Sequence, residues 1–394
     1  MKLAQSYSRL GTETAFEVLV RARALEAQGR KIVHLEIGEP DFDTPANIRD
    51  AAKKALDEGW THYGPSAGLP QTRKAVAEYV SKTRGMSYAP EETVIVPGGK
   101  PIIFFTILAL IDAGDEVIYP NPGFPIYESM INYVGGKAVP LPIREENGFD
   151  FDPAEFERLL TPKTKLVILN SPANPTGGVM ADATMDRVAA ALRKFPGAMV
   201  LTDEIYSRVL YGGTHRSIAS LPGMKERCII LDGFSKTWAM TGWRLGYGVG
   251  PKWLIDAIAK LATNDHSCVA SFAQIAAIEA LNGPQDSVTA MVAEFRKRRD
   301  VIVKGLNSIP GISCLTPSAS FYVFPNIKAT GLTSKVLADA LLNEAGVACL
   351  PGTSFGSYGE GYLRFSYANS VANIETALAS IRATLPKLTA TAAR

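Results

Sequence analysis

Apolar positions follow two different periods along this chain, and the alternation between the periods is its main organising feature. Short runs rich in Val, Ile and Leu (TVIVP, EVIYP, KLVILN, AMVLTDE, RCIIL and RLGYGVG) are too brief for helices and read as strands. Longer stretches at 47–57, 69–83, 101–115, 183–194 and 253–262 carry the spacing of helices. Pro70 falls in the first turn of one of these, where its missing N–H is tolerated. Near-continuous apolar strands alternating with helices predict an α/β fold, a mostly parallel sheet covered on both faces.

The rhythm changes after helical stretches at 272–281 and 287–306. Short strands are expected at 311–314, 320–324, 347–350 and 362–366, with helices at 333–344 and 371–384. A charged helix at 15–28, ended by Gly29, leads into the extended arm IVHLEIGEPDFDTP. These features predict a large domain over 46–285 and a smaller α+β domain from 286–394, to which the arm of residues 1–45 returns.

Composition narrows the function classes. The 394 residues suffice for two to four units at about 100–200 residues each. Forty-one basic and 39 acidic residues leave a formal charge of +2, too little to point to nucleic acid or an anionic membrane. The longest uncharged apolar stretches, 101–111 and 267–278, fall short of the roughly 20 residues that span a bilayer. The first 31 residues are charged throughout and do not read as a secretory signal. Cysteines at 228, 268, 314 and 349 form no CxxC and no close pair, as expected for reduced thiols in a cytoplasmic protein. The four histidines lack metal-ligand spacing, so no metal site is expected.

Two motifs mislead. GTSFG at 352–356 matches a serine-hydrolase elbow, but a glycine-rich segment follows and no histidine comes after His266. GYGVG at 246–250 has the wrong spacing for a dinucleotide loop.

In open α/β sheets, ligands bind beyond the carboxyl ends of the strands. Lys236 follows the strand RCIIL, and Arg244 comes eight residues later. Asn174 lies in NSPANPTGG after KLVILN, while Asp203 and Tyr206 lie in TDEIY after a third strand. The turn Gly98-Gly99-Lys100 precedes a helix, whose N-terminal N–H groups favour an anion. A lysine, a carboxylate and an anion site together suit pyridoxal phosphate (PLP). The amine forms a Schiff base, the carboxylate keeps the pyridine nitrogen protonated, and the helix end and arginine take the phosphate.

The motifs IGEPDFDTP, THYGPSAGLPQTRKAV, NSPANPTGG, TDEIYS, SKTWAMTGWRLGY and YLRFSYA run through essentially the whole chain. Their combination resembles the class I aminotransferases of PLP fold-type I, in the branch holding many prokaryotic aspartate aminotransferases. The resemblance implies pyridoxal 5'-phosphate as cofactor, amino acids and 2-oxo acids as ping-pong substrates, and a homodimer with shared active sites. It implies that Lys236 is the Schiff-base lysine and moves the proton between substrate Cα and cofactor C4′. Asp203 would pair with the pyridine N–H, Asn174 and Tyr206 with the ring hydroxyl oxygen, and Phe124 would stack on the ring. Arg244, Gly99 and Lys100 would hold the phosphate, with Tyr63 reaching that of the neighbouring subunit. Arg364 would clamp the substrate α-carboxylate, helped by the N–H of Gly38.

Two positions depart from the pattern. Gly233 stands where many relatives carry Ser or Thr, leaving Ser235 as the nearest hydroxyl for the phosphate. Pro101 is expected to open its helix and removes one possible donor. A lysine at the position of Lys100 accompanies dicarboxylic substrates in relatives, so aspartate or glutamate with 2-oxoglutarate is the leading assignment. Neutral or aromatic amino acids, prephenate, and a C–S lyase reaction on the same fold are the alternatives.

Overall fold

A computed structural model describes residues 2–392. β1 (Val33–His34) lies in the arm. Seven strands follow: β2 (Thr93–Val96), β3 (Glu116–Asn121), β4 (Lys137–Pro142), β5 (Thr164–Asn170), β6 (Met199–Asp203), β7 (Cys228–Gly233) and β8 (Gly246–Val249). They form one sheet in the order β2-β8-β7-β6-β5-β3-β4. Strands β3 to β7 are parallel, and β8 runs antiparallel to both β7 and β2. The reversal has a local cause. Only the one-turn helix Phe234–Thr237 and a 3-10 turn separate β7 from β8, so the chain turns back at the strand end. Lys236 and Arg244 therefore stay at the same edge of the sheet.

Side-chain alternation explains why both faces are covered. Leu166 and Ile168 of β5 pack with helices Lys100–Leu110, Ile126–Val134 and Lys252–Asp265. Val167 and Leu169 face the other way, toward helices Ala46–Asp57, Pro70–Arg84, Asp182–Leu192 and Ser271–Asn282. All four side chains are at most 2% exposed. Burial of each contributes about 1.5–3 kcal/mol, far more than strand propensity.

A second core joins helices Asp286–Asn307 and Val371–Ala392 to β9 (Tyr322–Val323) and β12 (Leu363–Ser366), with Leu35 of the arm. β10 (Val347–Ala348) pairs with β1 in parallel, and β11 (Leu350–Pro351) pairs with β12. The arm helix Thr14–Glu26 packs Val18 and Ala22 against Phe324, Leu342, Ala348 and Leu350. Among the described residues, no helix is long and apolar enough to cross a membrane.

The structure departs from the sequence pattern in several places. Strand β4 carries Pro140 and Pro142, which mask its strand signal and are tolerated because β4 is an edge strand. Residues 311–314 form no strand, only the bridge Ser313–Asn326. The run at 347–350 is split between β10 and β11. The last helix continues through Pro386, because Leu385 beside it is 2% exposed in the second core. Lys100, not Pro101, opens its helix, and proline is equally tolerated one position later in that first turn.

One buried network ties the sheet to its helices. Arg84 donates to Glu204 at 2.9 Å through Nε and to Asp232 at 2.7 Å through Nη2. His215 and Ser217 also contact Glu204, and Ser207 donates to Asp232. Burial pushes the Glu204 carboxyl up, but His215 and Arg84 outweigh it and hold it at about 2. Removing one partner from such a network strands a buried charge. Arg84→Met should lower the denaturant-measured stability by about 3–5 kcal/mol. Lys74→Met, which removes an exposed pair with Glu78 at 3.9 Å, should shift it by less than about 0.5 kcal/mol.

Candidate active site

The carboxyl ends of β5, β6 and β7 open on a cavity of about 550 Å³. Gly38, Gly99, Lys100, Phe124, Asn174, Asp203, Tyr206, Ser235, Lys236, Arg244 and Arg364 all line it. Tyr63 is not among its walls and stands 93% exposed.

Lys236 sits on the one-turn helix after β7, and its Nζ donates to the carbonyl of Gly38 at 2.6 Å. Burial favours the neutral amine and pulls its pKa down to about 8, although Glu39 opposes the shift. Asp203 ends β6 and is 5% exposed. Burial raises its carboxyl to about 6, while the Tyr127 hydroxyl, donating to Oδ2 at 2.6 Å, favours the ionised form. Asn170, at the end of β5, donates to the Asp203 carbonyl at 3.1 Å. Its Oδ1 accepts from the Asn174 N–H at 2.9 Å, so it fixes the loop that carries Asn174.

Arg244 adopts φ 51°, a left-handed conformation that an unbranched residue keeps only when its surroundings hold it. Its guanidinium donates to the carbonyls of Thr241 at 3.0 Å and Pro97 at 3.3 Å. Gly98 beside it has φ +85°, and a Cβ there would lie 2.2 Å from Arg244 Nη2. The left-handed backbone demands glycine, and the missing Cβ leaves the room that the guanidinium occupies. Gly233 has a related reason. It pairs with Gly246 across β7 and β8, and a Cβ would come 3.0 Å from the Gly246 Cα. A hydroxyl-bearing residue would press on β8 here, and the buried Ser235 lines the cavity instead.

Arg364 projects from β12 and is 4% exposed. Its guanidinium carbon lies 4.5 Å from the ring centroid of Tyr322 and 4.9 Å from that of Phe355. One Nη donates to Asn174 Oδ1 at 3.2 Å and the other to the Glu36 carbonyl, while Nε is buried with no hydrogen-bond partner. The hydroxyls of Tyr206 and Tyr322 meet at 2.8 Å.

A half-buried amine, a buried carboxylate and two oriented guanidinium groups thus share one cavity. The sequence profile of the family "Aminotransferase class I and II" matches residues 30–381. The chain belongs to this family. It is 42% identical to the aspartate aminotransferase of Pyrococcus abyssi over 357 residues, covering 89% of this chain and 91% of that one. It is 40% identical to aromatic-amino-acid aminotransferase 2 of Thermococcus litoralis, over 89% and 91% of the two chains. The solved aspartate aminotransferase of Rhizobium meliloti superposes with a TM-score of 0.94 at 35% identity, covering 98% of this chain and 99% of that one. The aminotransferase reading of the sequence holds, as does its α/β fold class.

Several residues of the aminotransferase site escaped the sequence reading. Tyr322 and Phe355 flank Arg364, but the first reads as part of a short strand and the second lies in the misleading GTSFG motif. Asn170 was visible as the last residue of a strand, the same signal that marks Asp203. Tyr127 stands in an aromatic-rich stretch with nothing local to pair it with Asp203.

The low pKa of Lys236 predicts an unusual pH profile. In cofactor-free protein, trace labelling with acetic anhydride should modify Lys236 faster as pH rises and level off above about 8. An unperturbed amine would keep gaining up to about 10.4. Peptide mapping by mass spectrometry reads the profile, and a plateau near 10 would mean that burial does not act on this amine.

Proposed function

We propose that the cavity binds PLP on Lys236 and transfers an amino group in two half-reactions, with aspartate or glutamate the favoured donor and a 2-oxo acid the acceptor. The observation that carries this is a half-buried lysine with depressed pKa in one cavity with a buried carboxylate that has no ion-pair partner among the described residues. The residues fit the group. The glycine cradle at Gly98, which a Cβ would fill, sets Arg244 beside the helix end at Gly99 and Lys100, a donor set for a phosphate. When bound, PLP supplies an aldehyde for the amino group and a ring that accepts the electron pair released at Cα.

The chain's own groups do the rest. Asp203 holds a positive charge on the ring nitrogen, with Tyr127 keeping the carboxylate ionised and oriented. Asn174 and Tyr206 act on the ring hydroxyl oxygen, Phe124 packs on the ring, and Ser235 adds a hydroxyl toward the phosphate. Arg364 grips the α-carboxylate with the Gly38 N–H, and its free Nε–H gives it an unused donor for that task. Lys236 would take the proton from the substrate Cα and deliver it to the cofactor C4′, and would carry it in the opposite direction in the second half-reaction. We further propose that 46–285 form the cofactor-holding unit and that 1–45 with 286–394 form the unit carrying Arg364. The protein is proposed to act in the cytoplasm as a homodimer, with Tyr63 completing the partner's phosphate site.

Borohydride reduction of the holoprotein followed by peptide mapping should place the cofactor's mass on Lys236, and Lys236→Ala should abolish transamination. Label on another lysine would remove the assignment. Stoichiometric glutamate formed from 2-oxoglutarate is the expected product, whereas pyruvate with ammonia would indicate a lyase.

The shared-site proposal has its own test. Tyr63→Ala and Lys236→Ala subunits, each impaired alone, should regain about a quarter of wild-type activity when mixed at random, because half the dimers are hybrids with one intact site of two. Verified hybrids with no recovery would exclude a shared site.

A further inference from the structure

Two relatives of nearly equal similarity bear aspartate and aromatic names, so overall likeness leaves the side-chain preference open. The cavity itself carries more information. Glu13 enters it from the arm and places its carboxylate on the ammonium of Lys100, which also lies 5.7 Å from the Phe124 ring centroid. We propose that Glu13 is an internal counter-ion for Lys100 that a dicarboxylic substrate displaces, so that one pocket accepts both dicarboxylic and neutral amino acids. The proposal rests on the aminotransferase reading above and names the specificity device within it.

The position of Glu13 suits an exchangeable group. Just before it, the arm is held on the helix Ile126–Val134. The Gly11 N–H donates to Ser129 Oγ at 2.9 Å, and Arg9 donates to the carbonyls of Asn132 and Tyr133 at 2.8 Å each. Just after it, the helix Thr14–Glu26 is packed into the C-terminal part through Val18 and Ala22. Glu13 sits on the short crossing between these anchors, in extended conformation. Its side chain is 17% exposed and that of Lys100 is 42% exposed. A pair with one half-open member is weak enough to exchange, whereas a fully buried pair would lock the lysine.

Charge and shape explain why exchange is useful. The cavity around the pair also presents Phe16, Ile37 and Ile103, which favour an apolar side chain. An unpaired ammonium among them would oppose a neutral substrate. Lys100 paired with Glu13 leaves that end of the pocket neutral. A second carboxylate on the substrate can instead take over Lys100 and leave Glu13 to solvent. Donor and acceptor use the same pocket in turn, so a neutral donor and a dicarboxylic acceptor both need accommodation there. Glu13 also acts over distance on Arg364 and Lys236, whose protonated forms its charge favours.

The test uses the holoenzyme and two readouts. Succinate, a dicarboxylate that cannot react, is titrated against the cofactor's absorbance to give a Kd. Glu13→Gln should tighten succinate about 3- to 6-fold and raise the ratio of kcat/KM for aspartate over phenylalanine by a similar factor. In a Lys100→Met background the same substitution should change neither quantity. Unaltered succinate affinity in Glu13→Gln, or an equal change in both backgrounds, would overturn the counter-ion. Glu13→Ala repeats the measurement without the amide. A wild type that transfers no amino group from any donor would overturn the aminotransferase reading, while the succinate titrations would still judge the role of Glu13.

Discussion

Arg84 is the residue on which the geometry at the sheet edge depends. Asp203, Glu204 and Asp232 stand at the carboxyl ends of two adjacent strands, each no more than 5% exposed. Like charges about 4 Å apart repel by about 4 kcal/mol at an effective dielectric near 20, a large fraction of a typical domain's stability. Arg84 answers two of the three, and His215 adds a further donor to Glu204. Asp203 is left with a hydroxyl and an N–H but no cation among the described residues. The sorting of charges therefore singles out, of these three carboxylates, the one that lines the cavity.

The cavity draws its walls from three parts of the chain. Asp203 ends a strand of the large sheet, Lys236 and Arg244 lie in the connection between β7 and β8, Arg364 is in β12, and Gly38 with Glu13 is in the arm. Arg364 contacts all three parts, through Asn174, the Glu36 carbonyl and the rings of Tyr322 and Phe355. A guanidinium held between two rings loses little freedom when it meets a carboxylate, because its plane is already set. Close backbone approach serves the same end. Gly98 lets Arg244 lie against the turn, and Gly38 approaches Tyr322 so closely that a Cβ would stand 2.0 Å from its hydroxyl oxygen.

Such a site is assembled against the chain's preferences for stability. A half-buried lysine, a buried arginine with an unused donor and a left-handed Arg244 each cost free energy in the protein without ligands. Three well-packed clusters, one on each face of the large sheet and one around β9 and β12, offset those costs. Stability is concentrated in the layers behind the sheet edge, and chemistry is confined to the edge itself.

The amino-acid sequence alone determined the alternation of strands and helices, and with it the polar residues that follow each strand. Both are local properties, set by side-chain period and by the rule that strand ends carry the ligand site. Asn174, Asp203, Tyr206, Lys236 and Arg244 were legible for that reason, and family motifs added Arg364 and Gly38. Strand β4 was not legible, because its two prolines erase the local signal and only its edge position permits them. Nor was the place of β8 between β7 and β2, since strand order depends on how the chain closes against its neighbours. The partners of the charged groups lay furthest out of reach. Arg84 meets Glu204 across 120 positions and Asp232 across 148, and Tyr127 meets Asp203 across 76. Glu13 finds Lys100 only because the arm crosses the cavity mouth. No period along the chain encodes such meetings. Tertiary packing decided them, by burying polar atoms where each had to find a partner at whatever distance in sequence.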